Sequence, residues 1–228
     1  MDNCEIYGWT NTAVYINTYD GDDYTPSDNQ YVHHNYMHHN MYSGLGYGVS
    51  MPFFTSETIR SGALFEANLF NRNRHSIASG GTQWSNYEAR YNLILEDDTQ
   101  HSFDRHPDSW NATASMGGDW TIIHHNTDRY YGWSRAVVGI RGEPYVTNGA
   151  QIYNNWFYQS VKSAIFTTYK NGTPTYQHNV VPNTLIYNNY GNFLPPSVVN
   201  LPVAVLSMNK KVITEGDSIT FYGSDSYQ

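Results

Sequence analysis

Apolar residues along this chain recur in short bursts, each followed within a few positions by asparagine. The signature reads Val32-His33-His34-Asn35, Phe65-Glu66-Ala67-Asn68 and Ile123-His124-His125-Asn126. It returns as Ile152-Tyr153-Asn154-Asn155 and Ile186-Tyr187-Asn188-Asn189, with a looser copy at Ala89-Arg90-Tyr91-Asn92. Asn3 is expected to end a further copy, and from it successive asparagines lie 32, 33, 24, 34, 29 and 34 residues apart. A fixed signature at a variable period predicts one structural unit per repeat, with insertions in loops.

After the asparagine an apolar residue follows (Met37, Phe70, Ile94, Phe157), and a turn leads to a third burst. That burst is Ala13–Ile16, Gly48–Met51, Ser76–Ala78, Ser102–Asp104, Ala136–Val138 or Ala164–Phe166. Three short strands per repeat with Asn at one sharp corner predict an all-β chain, a right-handed parallel β-helix. Asn tolerates the left-handed backbone of a tight corner. Stacked coils would also set successive amides about 4.8 Å apart, within reach of a hydrogen-bonded ladder.

The pattern stops near Phe193, and Leu194-Pro195-Pro196-Ser197 reads as a linker. Residues 1–199 are therefore expected to form the β-helix, and residues 200–228 to open a second domain. Alternation in Ile219-Thr220-Phe221 marks a half-buried strand there. Met1 runs straight into Asp2-Asn3-Cys4-Glu5, in mid-pattern, so a longer parent protein is expected.

Composition narrows the function. Charged residues are 14%, against the roughly 25% of ordinary globular proteins, while 21 Tyr, 18 Gly and many Asn suit strands and tight turns. A net charge of -8 argues against a nucleic-acid partner, since phosphate binding needs clustered cations. No apolar run is long enough for membrane insertion by a helix. The single cysteine, Cys4, rules out an internal disulfide framework.

The tail carries Pro202-Val203-Ala204, Glu215-Gly216-Asp217 and Gly223-Ser224 to Ser226-Tyr227. It resembles the opening of a PKD-like domain, a truncated immunoglobulin-like β-sandwich segment here. The asparagine-cornered repeat resembles the pectin-lyase-like superfamily. The two together look like the disaggregatase-associated domains of methanogenic archaea, which act on a uronic-acid-containing, chondroitin-like cell-surface matrix. The resemblance implies an extracellular or cell-surface protein with a polysaccharide partner. It carries no catalytic residue over.

Candidate chemistry gathers in the densest polar segment, Glu96 to His106. Aligning third strands gives an outward row of Tyr15, Ser50, Ala78, Asp104, Val138 and Phe166, with Asp104 its one carboxylate. His75-Ser76-Ile77 aligns with His101-Ser102-Phe103, which should stack His75 over His101, and Arg141 falls near the same strand ends. Glycoside hydrolysis needs two carboxyl groups, which Asp104 with Asp97 or Asp98 would supply. A uronate lyase needs a base and a cation on the sugar carboxylate. His101 or His106 with Arg105 or Arg141 would serve, or Ca2+ as the cation. Otherwise no cofactor is expected. His75, Arg105, Arg141 and Trp110 are the expected substrate-binding residues, and His75, Asp98, His101, Asp104, His106 and Arg141 are expected to gather on one exposed groove. A non-catalytic, glycan-binding β-helix is the alternative. The pairs His33-His34, His38-His39 and His124-His125 precede corner asparagines, where a corner role outweighs metal ligation. The sequons at Asn111 and Asn171 fit loops of an exported protein.

Overall fold

The structure, a computed structural model, describes residues 1–16, 30–51, 61–95, 98–108, 116–129, 136–167, 181–191, 207–208 and 221–222. Its main body is a parallel β-helix in which each coil adds one short strand to each of three sheets. The first sheet leads into the asparagine corner and holds Gln30–His33, Ser61–Glu66, Ser85–Arg90, Trp120–His124, Ala150–Tyr153 and Thr184–Tyr187. The second leaves that corner, from Glu5–Tyr7 through Tyr36–His38 to Tyr190–Gly191. The third holds Thr12–Tyr15, Tyr47–Ser50, His75–Ser79, Phe103–Arg105, Val138–Ile140 and Ile165–Thr167. Helix is confined to Val161–Ala164 among the described residues.

The repeat explains the core. In register, Val32, Phe65, Ala89, Ile123, Ile152 and Ile186 stack along the first sheet. Val14, Val49, Ile77, Phe103, Val138 and Ile165 stack along the third. Most of these side chains are buried in one apolar cluster down the axis. Each fully buried Phe, Ile or Val contributes roughly 1.5–3 kcal/mol by leaving water.

The asparagine ladder is continuous. The side-chain amide of Asn35 donates to Asn68 Oδ1 (3.0 Å), Asn68 to Asn92 (3.1 Å), and Asn92 to Asn126 (2.9 Å). Asn126 donates to Asn155 (3.0 Å) and Asn155 to Asn189 (2.9 Å). Each Oδ1 also accepts the main-chain N–H of the preceding rung, as in Asn68 N to Asn92 Oδ1 at 3.0 Å. The second amide hydrogen goes to a carbonyl one coil back, for example Asn92 to Phe65 O at 2.9 Å.

Two expectations about this corner need correction. The left-handed residue is the one before each rung: His34, Ala67, Tyr91, His125, Asn154 and Asn188 all have φ of 51° to 55°. The rungs are selected for their amide hydrogen bonds, not for backbone tolerance. Asn3, at φ 52°, takes the same left-handed place, so Cys4 holds the rung position and its N–H donates to Asn35 Oδ1 (3.1 Å).

A second ladder, unforeseen, runs along the next corner. Trp9 N donates to Asn40 Oδ1 (3.0 Å), Asn40 Nδ2 to Asn73 Oδ1 (2.8 Å), and Asn73 N to Asp98 Oδ1 (2.9 Å). In the tail, Ser207–Met208 pairs antiparallel with Phe221–Tyr222. The remainder of the expected second domain lies outside the described residues.

Candidate functional site: a carboxylate in a basic nest

Phe103 is in the core and Arg105 also turns inward, so strand alternation sends Asp104 out of the opposite face of the third sheet. Its carboxylate is met from three sides. Arg141 grips both oxygens, Nε to Oδ1 at 3.0 Å and Nη2 to Oδ2. His106 Nε2 lies 2.8 Å from Oδ2, and His75 Nε2 lies 3.5 Å from the same oxygen. The expected row holds in Tyr15, Ser50, Ala78, Asp104 and Phe166, but Gly139 replaces Val138 beside Asp104 because Phe103 pairs with Val138, not Val137. The glycine matters: a Cβ there would sit 2.8 Å from His101 Cδ2 and 3.1 Å from Asp104 Oδ1.

Electrostatics fix the protonation states. Burial alone would raise the Asp104 pKa, but Arg141 foremost, with His106, outweighs it and holds the carboxyl well below its ordinary value. Burial pushes His75 well below the ordinary histidine value, with Asp104 opposing and His101 and His106 reinforcing. His75 is therefore neutral at neutral pH. Its Nδ1 faces the His101 carbonyl at 2.7 Å and must carry the hydrogen, leaving a lone pair on Nε2. His101 Nδ1 faces the Ala136 carbonyl at 2.8 Å, which fixes its tautomer in the same sense. The His101 ring is half-buried and stacks on Phe166, with centroids 5.4 Å apart. His75 and His101 are neighbours as expected, 6.2 Å between centroids, though tilted by 32°.

The residues expected in one groove are thus only partly brought together. His75, His101, Asp104, His106 and Arg141 form one cluster. It is largely buried rather than exposed: the His75 and Asp104 side chains are fully covered, His106 is 10% exposed and Arg141 16%.

Arg105 leaves the cluster. It occupies the lumen, donating to Thr121 Oγ1 (2.7 Å), Ser79 Oγ (2.9 Å), Ser85 Oγ (2.8 Å), and the carbonyls of Gly80 (2.6 Å) and Trp120 (2.9 Å). Its guanidinium lies over the Tyr87 ring at 5.0 Å, and burial lowers its pKa to about 10, so it stays charged. Being on the same strand face as Phe103, it cannot reach an outer groove. Asp98 also leaves: it ends the second ladder, accepting Asn73 N and Ser76 Oγ. Asp97, Trp110 and both sequons lie outside the described residues.

Asp128 was not among the expected site residues. It is buried at an interior position of the second sheet, between Ile94 and Phe157, and accepts Ser102 Oγ at 2.5 Å. The signal was present: Asn126-Thr127-Asp128 puts a carboxylate where other repeats have Met37, Phe70, Ile94 and Phe157.

The histidine pairs serve the corners. His34, His39 and His125 take left-handed positions, while His38 Nε2 meets Glu5 (2.9 Å) and His124 Nε2 meets Glu88 (3.0 Å). On the outer face of the first sheet, Arg90 bridges Glu66 (2.8 Å) and Glu88 (3.0 Å). Beside them lies an open pocket of about 320 Å³ lined by Tyr31, Leu64, Asn86, Glu88, Trp120 and Ile122, among others.

Comparison with known protein families, with curated proteins and with solved structures returned no match.

Proposed function

We propose that this chain is part of an extracellular enzyme that cleaves a uronic-acid-containing, chondroitin-like cell-surface polysaccharide, with the Asp104 cluster as its site. The disaggregatase-like repeat and the PKD-like character of residues 200–228 support the setting. The observation that carries the reading is one carboxylate on the outer face of the third sheet, met by His75, His106 and Arg141, with the His101 ring beside His75. Strongly perturbed titratable groups gathered on one face of a regular scaffold favour function.

Within that reading, elimination fits the cluster better than hydrolysis. Hydrolysis needs a carboxylic acid with a raised pKa and a second carboxylate. Asp104 is held ionised, and Asp98 is committed to the second ladder. Elimination needs a base for the proton beside the uronate carboxyl and a cation for that carboxyl. His101, its Nδ1 hydrogen tied to Ala136, presents Nε2 as the base. Arg141, oriented by Asp104, presents the cation. The C5 proton passes to His101, its C–H electrons form the C4–C5 double bond, the C4–O4 bond breaks, and the departing O4 takes a proton from solvent water.

Incubation with chondroitin-type and neutral polysaccharides tests this. Ultraviolet absorbance of an unsaturated uronate, lost in His101→Gln, is the expected result. New reducing ends without that absorbance would mean hydrolysis. No cleavage of any of these polysaccharides would sink the enzyme reading.

The pocket on the first sheet favours a second reading, glycan binding without cleavage. Tyr31 and Trp120 stand 42% and 40% exposed beside it, rings suited to sugar faces. Binding abolished by Trp120→Ala, with no products, would support it.

A further inference from the structure

Behind His101 and Arg141, the buried part of the cluster has an unmet acceptor. His75 is fully buried, and its Nε2 has no hydrogen-bond partner. Its tautomer aims a lone pair at Asp104 Oδ2, 3.5 Å away, an oxygen that is itself negatively charged. Two acceptors facing each other in a dry site repel unless a cation lies between them.

We propose that His75 Nε2, Asp104 Oδ2 and His106 Nε2 bind a divalent transition metal ion of the zinc class. The three ligand atoms lie within 4.8 Å of one another, so a modest adjustment closes them around one ion. Two imidazoles and one carboxylate suit zinc and its neighbours, whereas Ca2+ prefers six or more oxygens. The surroundings are those of a metal site. Ligating histidines characteristically donate their other ring N–H to a carbonyl, as His75 Nδ1 does to His101 O at 2.7 Å. A ligating carboxylate is in turn held by hydrogen bonds, as Asp104 is by Arg141. A carboxylate has about four lone-pair sites, so Arg141 and a metal fit together on it. Tyr47, stacked on His75 with centroids 5.3 Å apart, fixes the ring plane. The three ligands come from two adjacent coils, His75 opening one strand of the third sheet and Asp104 and His106 lying within and just past the next.

This inference does not depend on the elimination reading, and its test does not use activity. The chain is stripped with a chelator, dialysed against Zn2+ or Co2+, and analysed for metal content. The expected result is one equivalent retained per chain, with a visible Co2+ band. The midpoint of thermal unfolding should rise by roughly 5–10 °C at a hundredfold excess of metal over its Kd. His75→Ala and His106→Ala should each lose the equivalent, whereas His34→Ala and His125→Ala should keep it. If the stripped, folded chain takes up no metal and its unfolding midpoint does not move, the proposal is wrong. Retention of the full equivalent by folded His75→Ala would also overturn it. Should His75→Ala not fold, the unfolding shift of the unmodified chain still decides.

Discussion

Asn92→Ala removes the middle rung of the first ladder. Asn92 Oδ1 accepts Asn68 N at 3.0 Å and Asn68 Nδ2 at 3.1 Å, while its Nδ2 donates to Phe65 O and Asn126 Oδ1, both at 2.9 Å. Asn68 Nδ2 keeps Val32 O and Asn126 Oδ1 keeps Asn92 N, so those groups stay paired. The Asn68 main-chain N–H loses its acceptor at a residue with no solvent exposure. Three hydrogen bonds at about 1 kcal/mol each, and about 1–3 kcal/mol for the buried donor stranded at the fourth, give a loss of about 4–6 kcal/mol. That is a large part of the roughly 5–15 kcal/mol that holds a domain folded. Urea unfolding measures the loss, and hydrogen exchange localises it, since stacked coils can open separately. A loss below about 1 kcal/mol, with the Asn68 amide still protected, would refute the ladder as a source of stability.

Other outcomes follow from the same geometry. Ala67→Gly should stabilise by about 1 kcal/mol in urea unfolding, because φ 52° strains alanine and not glycine. Phe103→Ala should cost about 3–5 kcal/mol, since the ring is fully buried between Ile77 and Val138. Gly139→Ala should abolish cleavage at a stability cost of about 1–3 kcal/mol, because the new Cβ displaces His101 and Asp104. Acidification has a definite sign. His75 is held neutral in the fold, so below about pH 6.5 only the unfolded chain gains its proton. Stability in chelator should fall from pH 7 to 5 by up to about 1.4 kcal/mol per pH unit from this group. His75→Gln should flatten that slope, and a flat wild-type profile would contradict the assignment.

How much of this was legible in the sequence differs by length scale. The coils and the rungs could be read because Val32, Phe65, Ile123, Ile152 and Ile186 each precede Asn by three residues, a spacing the stack imposes. Left-handed residues were hidden where Ala67 and Tyr91 hold the position, since neither type advertises positive φ. The one-residue slip that pairs Phe103 with Val138 was invisible in the run Ala136-Val137-Val138, where either valine reads as inward. The composition of the Asp104 cluster was recoverable from strand alignment, but its burial was not, because covering depends on segments far along the chain. Arg105 was misjudged because a charged residue next to Asp104 reads as surface. Alternation instead sends it into a lumen lined by Ser79, Ser85 and Thr121.

The central claim is that the Asp104 cluster, and not the pocket on the first sheet, meets the glycan. A crystal structure with a uronic-acid oligosaccharide tests it most directly. The account expects a sugar carboxylate against Arg141 and a ring carbon hydrogen toward His101 Nε2. A sugar seated instead between Tyr31 and Trp120, with the Asp104 cluster unvisited, would contradict it.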